Sequence, residues 1–129
     1  MKKYLIDYLN EFAAKQDEQR VIKLYFVLCK LYDKEQAARI TNEVAAKLEE
    51  LKGVALDYNF IHDGAARCTS VKDIDVSDLD NINDKTDEEK QRILEVVKLI
   101  SDAFCDILQS VGNNEQQNKF MKWLKKLDI

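Results

Sequence analysis

The chain has 129 residues, of which 46% are hydrophobic and 34% are charged, a balance typical of folded proteins and too apolar for a wholly disordered one. The net charge of −4 is divided between an acidic segment and a lysine-rich end, which argues against the large basic face that general nucleic-acid binding requires. There is no proline and there are only three glycines, so we predict a mainly α protein. The expected architecture is a bundle of about five helices in a single domain over residues 1–129.

Two helices are predicted in the first 32 residues. The first ends near residues 14–16, and the second begins at about Asp17, because the acids Asp17 and Glu18 suit a helix N-terminus. Apolar residues cover nearly every side of the second segment, which predicts the central, most buried helix, with Leu28 in the core. The apolar face predicted for the first helix consists of Tyr4, Leu5, Tyr8, Leu9 and Phe12.

A third helix is predicted from about Lys34 to Lys52, where apolar residues recur in steps of three and four. Gly53 follows directly, and a glycine in this place typically ends a helix in the left-handed conformation. The third helix is therefore expected to end at Lys52.

An irregular acidic insert is predicted at about residues 54–85, where the helical spacing fails. Apolar and polar residues alternate at its start, as in a half-buried strand, and Asp63-Gly64 suits a reverse turn into a second strand around residues 68–76. One interpretation of this pattern is a small β-hairpin. A helix is the open alternative, and its apolar face would hold Val54, Tyr58 and Ile61.

The fourth helix has the clearest predicted start. Thr86 and Glu89 fit a capping box, in which the threonine hydroxyl and the glutamate carboxylate satisfy backbone N–H groups reciprocally. Its apolar stripe places Phe104 in the core. A short last helix is predicted to begin at Asn113 or Asn114, and its apolar residues are Phe120, Met121, Trp123, Leu124 and Leu127.

The acidic insert contains the predicted binding residues. Residues 72–90 hold eight acids and only three lysines, and alternate oxygen ligands are what a hard cation such as Ca²⁺ needs. The match to a calcium-binding EF-hand loop fails, because Asp78 stands where the turn requires glycine and Asp84 stands where the last ligand is a glutamate. A protein-facing acidic surface is therefore favoured over a metal site. The residues assigned to this surface are Asp73, Asp75, Asp78, Asp80 and Asp84.

The sequence offers little for catalysis. His62, the only histidine, stands beside Asp63 and six residues before Cys68, but nothing in the sequence brings a nucleophile and a base within hydrogen-bonding distance. The motifs of nucleotide-binding proteins and of common hydrolases are missing. A surface histidine is therefore favoured, and no enzymatic activity and no cofactor are expected.

The leading functional hypothesis is a non-enzymatic protein-binding module, of the inhibitor, immunity, adaptor or phage-antagonist type, that presents its acidic surface to a basic partner. A divalent-metal protein or enzyme using the same carboxylates is the second hypothesis. The third is a structural subunit that self-associates through Phe120, Trp123 and Leu124. The longest apolar run, residues 21–32, is too short to cross a bilayer, and three cysteines suit the cytoplasm, so no membrane partner is predicted.

Overall fold

The computed structural model describes residues 1–67 and 86–127, and every regular element within these two ranges is an α-helix. The predicted all-α fold is thereby confirmed. Five helices occur in the described residues: α1 (Lys2–Leu28), α2 (Lys34–Lys52), α3 (Tyr58–Arg67), α4 (Asp87–Ser110) and α5 (Asn114–Lys126).

The core is built around α1. Helices α2, α3 and α4 each pack on α1, and α5 packs on α4 and α2. Leu28 is fully buried, as predicted, whereas Phe104 is only half-buried and borders the core. The prediction for Phe104 was wrong because the inward face of α4 is centred on Ala103 and Ile107. The largest fully buried apolar side chains are Val21, Leu24, Leu28, Ile40, Val44, Leu48, Ile107, Val111 and Phe120.

Helix α1 is continuous, so the prediction of two helices in this region was wrong. The acids that were expected to start a second helix, Asp17 and Glu18, instead lie in the middle of α1 and are buried. Because no glycine or proline occurs between residues 2 and 28, nothing in the backbone chemistry requires a break.

The two buried acids are paired with groups from α1 itself, from α2 and from the segment before α3. Lys52 at the end of α2 donates to Asp17 Oδ2 at 2.6 Å, and Arg20 donates to Asp17 Oδ1 at 3.2 Å. The carboxylate of Glu18 accepts a hydrogen bond from the backbone N–H of Asp57, just before α3. A buried carboxylate is costly unless it is paired, and these contacts therefore fix the position of α2 and α3 along α1.

Helix α2 spans the predicted residues and has a defined cap at each end. Asp33 accepts a hydrogen bond from the backbone N–H of Gln36 at 2.7 Å, which caps the N-terminus. Gly53 has φ of 67°, the left-handed conformation that ends the helix.

The segment for which a β-hairpin was one interpretation is helical from Tyr58 onwards, and the alternative helical interpretation is confirmed for Tyr58 and Ile61, which lie in α3. Gly64 lies inside α3 rather than in a turn, and a Cβ atom there would collide with the side chain of Ile22 on α1. The alternating pattern begins in residues 54–57, which precede α3, and its remaining residues lie within the helix. The predicted second strand, residues 68–76, lies outside the described residues.

The starts of α4 and α5 are as predicted. Thr86 Oγ1 accepts from the backbone N–H of Glu89, and the Glu89 carboxylate accepts from the backbone N–H of Thr86, each at 3.3 Å. Asn113 caps α5 by accepting from the N–H of Gln116 at 3.0 Å. The side-chain amide of Gln116 then donates to the backbone oxygen of Leu51 at 2.8 Å, which joins α5 to the end of α2.

Candidate interaction surface

The first part of α1 carries a stripe of exposed apolar side chains. All residues from 1 to 12 are exposed, although this segment includes three aromatic residues. The exposed fractions are 85% for Tyr4, 65% for Tyr8 and 53% for Phe12. We define the α1 stripe as Met1, Tyr4, Leu5, Tyr8, Leu9 and Phe12.

The α1 stripe lies on the opposite side of the helix from the core. Phe12 is nine positions before the fully buried Val21, and at 3.6 residues per turn nine positions correspond to about 2.5 turns. Leu9 stands in the same relation to Glu18, which is also buried. The stripe is therefore not an extension of the inward face of α1, and it points away from the side on which the bundle packs.

The stripe also lies beyond the packed part of the bundle. A short connection joins α1 to α2, and the last residue of α2, Lys52, reaches back only to Asp17. Residues 1–12 therefore extend past the end of α2, and their uniform exposure shows that the described parts of α3, α4 and α5 do not cover them either. We call this projecting segment, residues 1–12, the arm.

The predicted apolar face of the first helix contains every stripe residue except Met1, but it was expected to face the interior, which was wrong. The phase of the apolar pattern could have corrected this assignment. No helix-breaking residue separates Phe12 from Val21, so a continuous helix necessarily places the two apolar faces on opposite sides.

The acidic residues predicted to bind a partner lie outside the described residues. These are Asp73, Asp75, Asp78, Asp80 and Asp84. The structure consequently brings none of them into a described site, and both the acidic protein-binding surface and the alternative cation site stay predictions.

His62 lies on the exposed surface of α3. Its Nδ1 atom is 3.8 Å from Oδ1 of Asp63, and both side chains are largely open to solvent. Cys68 lies outside the described residues, so the structure does not test a pairing of its thiol with His62. The predicted surface position of His62 is confirmed.

The three residues of the third hypothesis lie at different depths in α5. Phe120 is fully buried, and Trp123 and Leu124 are half-buried against the core. The rings of Phe120 and Trp123 are 5.5 Å apart between centroids, a distance at which aromatic pairs attract. Phe120 therefore belongs to the interior of the bundle, and self-association through the exposed parts of Trp123 and Leu124 stays a prediction.

A groove of about 580 Å³ runs between α2 and α3. Tyr58 lines this groove and donates its hydroxyl proton to Glu49 Oε2 at 2.8 Å. Burial raises the pKa of Tyr58 to about 12, with further contributions from this hydrogen bond and from the negative charge of Glu49. Glu49 also accepts from the backbone N–H of Leu56 at 2.9 Å, so the Tyr58–Glu49 pair holds the connection between α2 and α3.

A second groove, of about 450 Å³, lies between α2 and α5 and is lined by several lysines. Two of these lysines have acidic neighbours, because Lys47 lies 3.3 Å from Glu50 and Lys119 lies 3.7 Å from Glu115. The positive charge of this groove is therefore partly compensated within the chain.

In the described ranges, no group of three or more His, Cys, Asp or Glu side chains is arranged to hold a metal ion. None of the described helices is long and apolar enough to span a bilayer.

Comparison of the chain with models of protein families, with curated proteins and with solved structures found no match to any of them.

Proposed function

We propose that this chain is a non-enzymatic protein-binding module whose docking surface is the α1 stripe, which binds an apolar surface of another protein chain. The observation that carries this proposal is the opposite orientation of the two apolar faces of α1. A face turned away from the core contributes nothing to folding, yet it exposes large apolar side chains to water.

The size of the stripe supports a specific contact. Aromatic side chains bury roughly 150–250 Å² each. At the exposed fractions of Tyr4, Tyr8 and Phe12, the three rings alone offer on the order of 300–500 Å². The largest apolar patch on a monomeric protein is typically about 300–600 Å² and is often functional, and the stripe reaches this range with its aromatic rings alone.

The charge of the arm favours a protein over a lipid surface. Its polar side carries Lys2 and Lys3 against Asp7 and Glu11, so the charged side chains of the arm balance to zero. Helices that lie on anionic membranes are rich in lysine and arginine on this side. The spacing of Leu5, Tyr8 and Phe12 instead follows the one-sided anchor pattern of helices that dock against protein surfaces.

Site-specific photo-crosslinking tests this function. A benzophenone amino acid replaces Tyr8 in the stripe or, as the matched control, Asn10 on the opposite side of the same helical turns, in cells that produce the chain naturally. We expect protein adducts from position 8 and few or none from position 10. Equal yields at the two positions, or no adduct at position 8, would refute the proposed docking surface.

A vesicle assay separates the protein partner from a lipid surface. Purified chain is sedimented with vesicles that contain phosphatidylserine, and we expect it to stay in the supernatant. Co-sedimentation that is lost in Tyr8→Glu would identify the stripe as a membrane contact and would contradict the proposal.

The predicted acidic surface, Asp73 to Asp84, belongs to this proposal as a second contact that meets basic groups of a partner. Opposed charges mainly accelerate encounter. We therefore expect the substitution of Asp75, Asp78 and Asp80 by Asn to slow association at low salt, with a smaller effect as salt screens the charges. If the association rate at low salt were unchanged, the acidic segment would not be part of the interface.

A further inference from the structure

The α1 stripe is symmetric along the helix. Its six positions form three pairs whose residue numbers add to 13, so the set of apolar positions is unchanged when the direction of the helix is reversed. Each pair joins one aromatic and one aliphatic residue: Met1 with Phe12, Tyr4 with Leu9, and Leu5 with Tyr8. A surface that is its own complement under reversal is what a two-fold symmetric interface requires.

We infer that the partner of the α1 stripe is the same stripe of a second copy of this chain, packed antiparallel about a two-fold axis that passes between residues 6 and 7. This inference rests on the proposed function and names its partner. The seam residues Met1, Leu5, Tyr8 and Phe12 follow steps of four, three and four, as along the contact line of paired helices. In this arrangement Leu5 packs beside the partner's Tyr8, and Met1 packs beside the partner's Phe12.

The area available is sufficient for a specific dimer. Two copies of the three stripe aromatics contribute on the order of 600–1,000 Å² of buried surface. Leu5 and Leu9, which are each more than half exposed, bring the total past the roughly 1,000 Å² at which specific interfaces begin. The contact is then at the small end of stable interfaces, and we expect a dimer that dissociates on dilution.

The residues that follow the stripe favour the antiparallel orientation. The seam steps continue from Phe12 to Lys15 and then to Gln19, so the apolar contact ends after the arm. A parallel pair would place Lys15 of one copy beside Lys15 of the other and would bring the two bundles side by side. An antiparallel pair overlaps only the two arms, and it separates Lys2 and Lys3 of one copy from those of the other.

The geometry of the arm permits this pairing without rearrangement. Every residue from 1 to 12 is already exposed, and the described bundle begins only after Ala13. Two antiparallel arms that cross between residues 6 and 7 therefore leave the two bundles at opposite ends. The first turn of α1 has no side-chain cap and no acidic residue, so the arm gains stability from packing against a second helix.

Sedimentation equilibrium over a range of concentrations tests the dimer. The wild-type chain is expected to move from 15.0 kDa towards twice that mass as concentration rises. Leu5→Glu with Tyr8→Glu is expected to weaken dimerisation at least 100-fold, because four like charges would meet in the seam. The control, Lys3→Glu with Asn10→Glu on the opposite side of the arm, is expected to dimerise within about threefold of wild type. A wild-type chain that remains at 15.0 kDa at all concentrations would overturn the inference.

A second pair of substitutions tests the orientation. Leu5→Lys with Tyr8→Glu places opposite charges together in the antiparallel pair, whereas a parallel pair would place lysine against lysine and glutamate against glutamate. We expect this variant to dimerise at least tenfold more tightly at low salt than Leu5→Glu with Tyr8→Glu. Equal weakening in both variants would overturn the antiparallel arrangement. At a concentration at which the wild type is monomeric, circular dichroism should show the same thermal unfolding in all variants, because residues 3, 5, 8 and 10 are exposed.

Failure of this inference can be distinguished from failure of the proposed function. In the photo-crosslinking experiment at position 8, an adduct of twice the chain mass supports the symmetric partner. Adducts of other masses, with a monomeric purified chain, would retain the protein-binding function and replace the second copy by a different protein. The absence of any adduct would refute both.

Discussion

The two halves of α1 belong to one unbroken helix but serve different surroundings. After Ala13 the helix buries its apolar side chains beneath α2, α3 and α4, and before it the helix exposes them to water. Both halves carry apolar side chains, and the difference lies in the phase of those side chains around the helix. A stripe of apolar residues therefore does not by itself show whether the face that carries it turns towards the core or towards solvent.

The largest expected difference between the two halves is in the cost of truncating a leucine to alanine. Leu28→Ala is expected to lower the free energy of unfolding by about 2–5 kcal/mol, because it opens a cavity at a fully buried site. Leu9→Ala, where the side chain is 53% exposed, is expected to cost less than about 0.5 kcal/mol in the monomer. Urea unfolding at a concentration that keeps the chain monomeric gives both values. Similar losses at the two leucines would show that the arm also packs on its own bundle.

The boundary between the halves is expected to depend on the ion pair at Asp17. Lys52→Met leaves this buried carboxylate with Arg20 alone, and we expect a loss of about 1–3 kcal/mol in the free energy of unfolding. Lys47→Met is the matched control in α2, because Lys47 pairs with an exposed carboxylate, and its cost should stay below about 0.5 kcal/mol. If thermal unfolding shows equal costs for the two lysines, the Asp17 contacts do not hold the bundle at this point.

Helix starts offer a smaller contrast, because α4 begins with a capping box and α1 begins without a side-chain cap. Thr86→Ala is expected to lower the free energy of unfolding by about 1 kcal/mol, since it removes the acceptor for the N–H of Glu89. Thr86→Ser keeps a hydroxyl and should recover most of this loss in the same denaturation experiment. If Thr86→Ala left the free energy of unfolding unchanged, the cap would not contribute to the stability of α4, which would then depend on packing alone.

The smallest expected effect concerns Tyr58. Its side chain is exposed, as those of Tyr4 and Tyr8 are, but its hydroxyl forms a hydrogen bond with Glu49. Tyr58→Phe removes the hydrogen bond to Glu49 and should cost about 0.5–1 kcal/mol near neutral pH, a modest value because the pair is exposed. The pKa of Tyr58 is raised from 10.0 to about 12, so the folded state retains its proton when the unfolded state has lost it. The contribution of Tyr58 to stability is therefore present below pH 10 and is lost as the pH rises towards 12.

The free energies of unfolding of Tyr58→Phe and of the wild type should therefore converge as the pH rises from 10 towards 12. Tyr4→Phe, in the arm, serves as the control and should follow wild type throughout. A difference between Tyr58→Phe and wild type that stays constant up to pH 12 would contradict the role of the hydrogen bond.

Local chemistry predicted the helix ends that depend on neighbouring residues. The caps at Thr86 and Asn113 and the left-handed Gly53 were predictable because each involves groups within a few positions of one another. The buried positions of Asp17 and Glu18 were not predictable in this way. Their partners, Lys52 and the N–H of Asp57, are more than thirty residues distant along the chain. The same acids therefore indicated a helix start when considered alone.

The candidate surface was predicted in part. The grouping of Tyr4, Tyr8 and Phe12 on one face follows from helical spacing alone, whereas the side on which the bundle lies depends on the phase of the whole of α1. The orientation became predictable only once α1 was known to be continuous. Phe104 shows a similar limit, because its stripe was identified but the centre of the inward face was one position away, at Ala103.

The continuity of α1 also has a mechanical consequence. A helix of 27 residues is a rod of about 40 Å, and no flexible joint separates the part that the bundle holds from the part that projects. Anything that grips the arm is therefore held at a fixed distance and at a fixed angle from the bundle. One extra residue between Ala13 and Ala14 would advance the arm by about 1.5 Å but rotate its apolar face by roughly 100°. The arm thus tolerates changes of sequence on its polar side far better than changes of length. The number of residues between the stripe and the bundle sets the direction in which the stripe faces.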